Sequence, residues 1–156
     1  MKTKTTITEL THYDLVNLFS TALYGSSYLT ADYVEAINPC EEDCFEDTLA
    51  KNLLRGQTIT IIDWYADGVT YGKLFHYKAG KEGEVAYEVG IEDIKRGLER
   101  ASDGTFNAGN DKWTEQTKRS ARVSFDSFMD EDACDFDLVR ADILMQIILF
   151  DEIIYG

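Results

Sequence analysis

The sequence predicts an α+β fold: a three-stranded antiparallel meander packed against about five to six helices, in a single domain. Two observations carry this. Apolar residues recur at helical spacing on both sides of a central stretch, roughly residues 57–89, that instead alternates and is rich in Ile, Thr and aromatics. Helix runs segregated from strand runs in this way favour α+β over a parallel α/β sheet. The second observation is size: 156 residues with 44% hydrophobic and 28% charged residues suffice for one core without disulfides or metal.

The elements follow in order. Thr11-His-Tyr-Asp14 forms a capping box, with Leu10 and Leu15 at the staple positions. Leu15, Leu18, Phe19, Ala22 and Leu23 then make a buried stripe, and Gly25 ends the helix. A shorter helix is expected over 31–37, stopped by Asn38-Pro39. Asp43-Cys-Phe-Glu46 opens another helix with Phe45, Leu49, Leu53 and Leu54 inward and Gly56 at its end. Residues 57–65 read as a strand. Asp67-Gly68 reads as a two-residue hairpin turn, with the return strand over 69–78. That turn would set Trp64 opposite Tyr71 and Ile61 opposite Leu74. A third strand covers 84–89.

Ile91, Ile94, Leu98 and Ala101 mark the next helix, and the Gly- and Asn-containing stretch 102–110 a loop. Trp113, Thr117, Ala121, Phe125 and Phe128 space a further helix, which is locally basic through Lys112, Lys118, Arg119 and Arg122. These cations either pair with acids or form an oligomer contact. The last helix, about 136–150, is apolar on nearly all sides after Asp142, as expected of a central core helix.

No apolar run approaches the roughly 18 residues of a membrane span, and no apolar segment follows the basic start of the chain. The expectation is a cytoplasmic protein with no membrane partner. Three cysteines, Cys40, Cys44 and Cys134, are an odd number and argue against a disulfide framework. With one of His12 and His76 they would make a Cys3His zinc site, but no second close Cys/His pair supports it; three ordinary thiols are the simpler reading. Two acidic stretches fail as EF-hands: a loop from Asp130 has Asp135 and Ala141 where Gly and Glu are needed, and one from Asp63 has Leu74 in the final place. Irregular divalent-ion binding by 130–137 is the residual reading. There is no nucleophile elbow and no phosphate-binding glycine motif, so the expectation is no catalytic residue, no metal and no cofactor.

The charge is the informative feature. Fifteen Lys plus Arg stand against 29 Asp plus Glu, a formal net charge of -14. Such a field repels nucleic acid and attracts basic surfaces, although solubility alone explains many acidic proteins. The acids gather in two runs. Glu41, Glu42, Asp43, Glu46 and Asp47 form one; Asp130, Glu131, Asp132, Asp135 and Asp137 form the other. Both lie at or before a helix N-terminus, where two or three acids favour the macrodipole. The surplus points to a basic partner, including a nucleic-acid-binding protein whose phosphate site an acidic stripe imitates.

Asp142 and Gln146 share a face of the last helix. The simpler reading makes them its solvent-facing stripe. The alternative puts them in a pocket between sheet and last helix, with Trp64, Tyr71 and His76. A third reading is an oligomeric structural accessory protein. Oligomeric state itself is not legible.

The segment Ala141-Asp-Ile-Leu-Met-Gln-Ile-Ile-Leu-Phe-Asp-Glu-Ile-Ile-Tyr-Gly156 resembles the ending of small acidic uncharacterised proteins carried by bacterial phages and conjugative elements. Tyr87-Glu-Val-Gly-Ile-Glu-Asp-Ile-Lys-Arg-Gly97 is similar to their strand-to-helix junction. The resemblance covers about a fifth of the chain and brings no catalytic motif. It implies a mobile-element setting, in which host-defence inhibitors and small accessory proteins are common, and so raises the DNA-mimic reading.

Overall fold

A computed structural model describes residues 10–31, 45–64, 76–79, 85–106, 115–130 and 135–153. Within them lie five helices and four strands: α1 (His12–Tyr24), β1 (Leu29–Ala31), α2 (Phe45–Leu54), β2 (Ile59–Asp63), β3 (His76–Ala79), β4 (Val85–Val89), α3 (Ile91–Asp103), α4 (Glu115–Met129) and α5 (Leu138–Phe150). The class is α+β.

Local chemistry accounts for the helix ends. Thr11 caps α1, accepting from the Asp14 N–H while the Asp14 carboxylate accepts from the Thr11 N–H at 2.8 Å. At the start of α3 only half of such a box is present: the Asp93 carboxylate accepts from the Gly90 N–H at 2.8 Å, and glycine has no side chain to return the bond. Gly104, at φ 74°, ends α3 in the left-handed region that a side chain would strain. Asp137 caps α5 by accepting from the Arg140 N–H.

The sheet differs from a meander. All its pairs are antiparallel, but the order is β1-β2-β4-β3. Ile61 lies opposite Tyr87 on one side and Ala31 on the other, not opposite Leu74. The Asp67-Gly68 turn itself falls outside the described residues. Burial explains the order. Ile59 and Ile61 on β2 stand opposite Val89 and Tyr87 on β4, and all four belong to the core. The two strands with the strongest apolar face therefore take the centre. The three residues of β1 and the four of β3 supply short edges, which limit edge-to-edge pairing. β1 was not expected: Ala31 ends a strand, where the sequence reading began a helix. Residues 32–37 lie outside the described residues.

The helix stripes are largely as read. Leu15, Leu18, Phe19, Ala22 and Leu23 are buried on α1, and Ile94, Leu98 and Ala101 on α3. Leu54 is an exception, exposed at the end of α2. α5 is the central element, in contact with α1, α3 and α4. Seven of its consecutive residues, Leu144 to Phe150, are buried, as an all-round apolar helix requires. Its far end meets the sheet where Phe150 packs edge-on against Tyr87, with ring centroids 5.6 Å apart.

Gly97, inside α3, sits against α5. A Cβ there would stand 2.7 Å from the Ile148 Cα and 2.5 Å from its Cγ1. Glycine lowers helix propensity by about 1 kcal/mol relative to alanine, so a Gly→Ala change on an open helix surface stabilises. Here the sign reverses, because the clash involves backbone. Gly97→Ala is expected to lower stability by about 1–3 kcal/mol in denaturant titration. A variant as stable as the parent would show that the α3–α5 approach is freely adjustable.

Candidate functional site

The sequence-selected residues fall into three places. The first acidic run reaches the described structure only at α2. Glu46 is 8% exposed and accepts from the Tyr24 hydroxyl at 3.2 Å. Asp47 pairs with His12 Nε2 at 2.8 Å. Both acids thus tie α2 to α1, helped by the edge-on contact of Tyr24 with Phe45 at 5.0 Å. Glu41, Glu42 and Asp43 lie outside the described residues.

In the second run, Asp130 follows α4, and Glu131 and Asp132 lie outside the described residues. Asp135 is exposed, accepts from the Ser127 hydroxyl at 2.7 Å and pairs with Arg140 at 3.2 Å. Arg140 also donates to the Asp135 carbonyl. The Ser127 hydroxyl chiefly holds the Asp135 carboxyl below its usual range; desolvation opposes it, and the Arg140 charge adds a smaller lowering. Two basic residues of α4 are also engaged: Lys118 with Glu115 at 3.8 Å and Arg122 with Asp126 at 3.9 Å, both within the helix. Lys112 is outside the described residues.

The two runs are related through α1. Its last residue, Tyr24, touches Phe45 and Glu46 of α2, and the next residue, Gly25, lies against Leu138 of α5, where a Cβ would meet the Leu138 side chain at 2.9 Å. The first turns of α2 and α5 thus touch neighbouring residues, Tyr24 at the end of α1 and Gly25 just after it.

The third place is a cleft of about 600 Å³. Its walls are the turn after α1 (Gly25 to Tyr28), the first turns of α4 (Gln116, Thr117, Ser120) and one face of α5. Asp142 and Gln146 lie on that face. The Tyr28 hydroxyl donates to Asp142 Oδ1 at 2.5 Å, and the Gln146 amide donates to Asp142 Oδ2 at 2.8 Å. Gln146 is 1% exposed, so it is not part of a solvent-facing stripe. The helical i,i+4 spacing brings these two together, as their shared face requires.

This cleft is not the expected pocket between sheet and α5: it holds Asp142 and Gln146 but, among its described lining, neither Trp64 nor His76, and at the sheet end of α5 Phe150 packs against Tyr87. Trp64 is 53% exposed at the end of β2 and donates its indole N–H to Thr30 Oγ1 at 2.8 Å, away from the cleft. His76 opens β3, paired with Glu88. Tyr71 is outside the described residues. Tyr28 is the cleft residue the sequence reading missed. A tyrosine immediately before a three-residue edge strand carries no periodic signal, and its partner is 114 positions away.

Tyr28 is well held. Ser26 Oγ accepts from the Tyr28 and Leu29 N–H groups at 3.3 and 2.9 Å, which sets the turn, and the Tyr28 carbonyl accepts from the Trp64 N–H at 2.9 Å.

Among the described residues no group of three or more His, Cys, Asp or Glu is placed to hold a metal ion. Cys40, Cys44 and Cys134, which the zinc reading requires, lie outside them. No described helix is long and apolar enough to cross a membrane. No protein-family model, curated protein or solved structure matches the chain.

Two outcomes follow from these bonds. Tyr28→Phe removes a short hydrogen bond to a carboxylate and is expected to lower stability by about 1.5–3 kcal/mol, read from denaturant unfolding. A loss near zero would mean that water replaces the hydroxyl without penalty. Ser127→Ala is expected to raise the Asp135 titration midpoint toward its ordinary value, read by carboxyl carbon NMR. The sign is set by the depressed folded-state value: the Ser127–Asp135–Arg140 contact contributes above the usual carboxylate range and is lost as pH falls through the depressed midpoint. An unmoved midpoint would assign the depression to Arg140.

Proposed function

We propose that this chain is a non-enzymatic interaction domain whose acid-rich side engages a basic protein surface. The observation that favours this is the meeting of the α2 and α5 first turns at Tyr24 and Gly25, which relates the two acidic runs to one part of the fold. The net charge of -14 supplies the attraction, which steers encounter and sets salt dependence more than it sets affinity. Glu46, Asp47 and Asp135 already serve bonds within the chain. Their role in a complex is then their share of the summed field, and direct contact passes to Glu41, Glu42, Asp43, Glu131 and Asp132. A nucleic-acid-binding protein is the partner class that an acidic stripe suits best, which is the DNA-mimic form of the proposal. A cytoplasmic, mobile-element setting, where host-defence proteins are the available targets, belongs to the same proposal.

The cleft favours a second reading, a ligand-binding domain. It combines apolar walls with a few convergent polar groups, the usual composition of a small-molecule site. An oligomeric accessory role has no comparable observation in its favour.

The first reading is tested by retention on immobilised basic proteins, including nucleic-acid-binding ones, at low and at high salt. Retention at low salt that is lost at high salt, and weakened by the paired change Glu42→Lys and Asp132→Lys, is the expected result. Equal failure to bind at both salt levels would sink it.

A further inference from the structure

The cleft beside α5 has a chemistry that selects its ligand. One carboxylate, Asp142, stands in it, held by Tyr28 and Gln146. A carboxylate has about four acceptor positions, and these two donors take one on each oxygen, so acceptor capacity remains. Among the described residues no Lys, Arg or His lines the cleft. Of the cations of α4, Lys118 and Arg122 pair within their own helix, and Arg119 is not among the residues lining the cleft. The wall next to Asp142 is aliphatic: Leu138, Val139 and Ile143, with Val139 68% exposed at the surface.

We infer that the cleft binds an organic cation made of a primary ammonium or guanidinium group on an aliphatic stem. The stem lies along the α5 aliphatic wall and the cationic head donates to the Asp142 carboxylate, the division of labour that amphipathic cations adopt at protein surfaces. A quaternary ammonium is the wrong head. It cannot donate hydrogen bonds and is recognised by aromatic cages, whereas among the described residues lining this cleft Tyr28 is the one aromatic. An anion is excluded by Asp142 and by the charge of the whole chain. The volume of about 600 Å³ takes a small free amine or a lysine side chain of a partner equally well. The inference rests on the second reading above, that the cleft is a binding site.

The test uses the intact chain and an isosteric series: pentylamine, pentan-1-ol and valerate, with a short single-lysine peptide as a separate arm. Binding is read by amide NMR shifts at Tyr28, Val139 and Ile143. Pentylamine is expected to saturate these shifts and the alcohol and valerate to leave them unchanged. Asp142→Asn is expected to weaken amine binding at least about tenfold, the effect of losing one charge-assisted contact. Gln146 can turn its amide to face the new Asn, so the helix is retained. Ser120→Lys, on the exposed α4 wall, is expected to weaken it similarly through a like charge without touching Asp142. Tighter binding of the peptide than of pentylamine assigns the cation to a protein partner, and the reverse to a free amine. Alcohol binding as well as the amine would keep the cleft as a site and overturn its preference for cations. Amine shifts spread over all acidic positions and unchanged in both variants would overturn the site itself, as would no binding by any member.

Discussion

The approach of α3 to α5 at Gly97 is the constraint on which the other contacts depend. With no Cβ at that position, the Ile148 backbone can come close enough for α5 to lie deep in the helical layer. α5 can then touch α1, α3 and α4 together and still deliver Phe150 to the Tyr87 ring on the sheet. A helix so buried cannot present many polar atoms. The polar side chains it does carry near its middle, Asp142 and Gln146, therefore bond to each other and to Tyr28. The cleft is the place where the close-packed layer opens on these groups.

Most of this layer was legible in the sequence because helices encode their buried face locally. Leu15, Leu18, Phe19 and Ala22 announce α1 at the correct spacing, and the Thr11–Asp14 box announces its start to the residue. α5 was readable as central from the lack of any polar side. The sheet was less legible for a physical reason. Strand order depends on which strands carry matching apolar faces, and that is a non-local property. Ile61 and Tyr87 are 26 positions apart, and nothing near Asp67-Gly68 reports that β4 would displace β3 from the side of β2. β1 was missed because three residues are too few to show alternation.

The site was legible only in part. Asp142 and Gln146 stood out as polar residues in an apolar helix, and their mutual bond follows from their spacing. Their placement in a cleft depends on Tyr28 and on the turn after α1, neither of which has a sequence signature. The acidic runs were obvious as composition but not as structure. Glu46, Asp47 and Asp135 act as links from α2 to α1 and from Asp135 to Ser127 and Arg140. Part of the charge is thus architectural, spent inside the chain before any partner is met.

Tyr28 has a double attachment. Its hydroxyl belongs to the cleft, while its carbonyl extends the ladder between β1 and β2 through the Trp64 N–H, and Ser26 fixes its own N–H. The cleft wall is therefore anchored to the sheet rather than to a freely moving loop. A ligand entering there would meet a donor already aimed at Asp142 and would lose little further chain entropy in ordering it. Recognition at such a wall is close to lock-and-key, fast to form and sensitive to small changes in the width of what it receives.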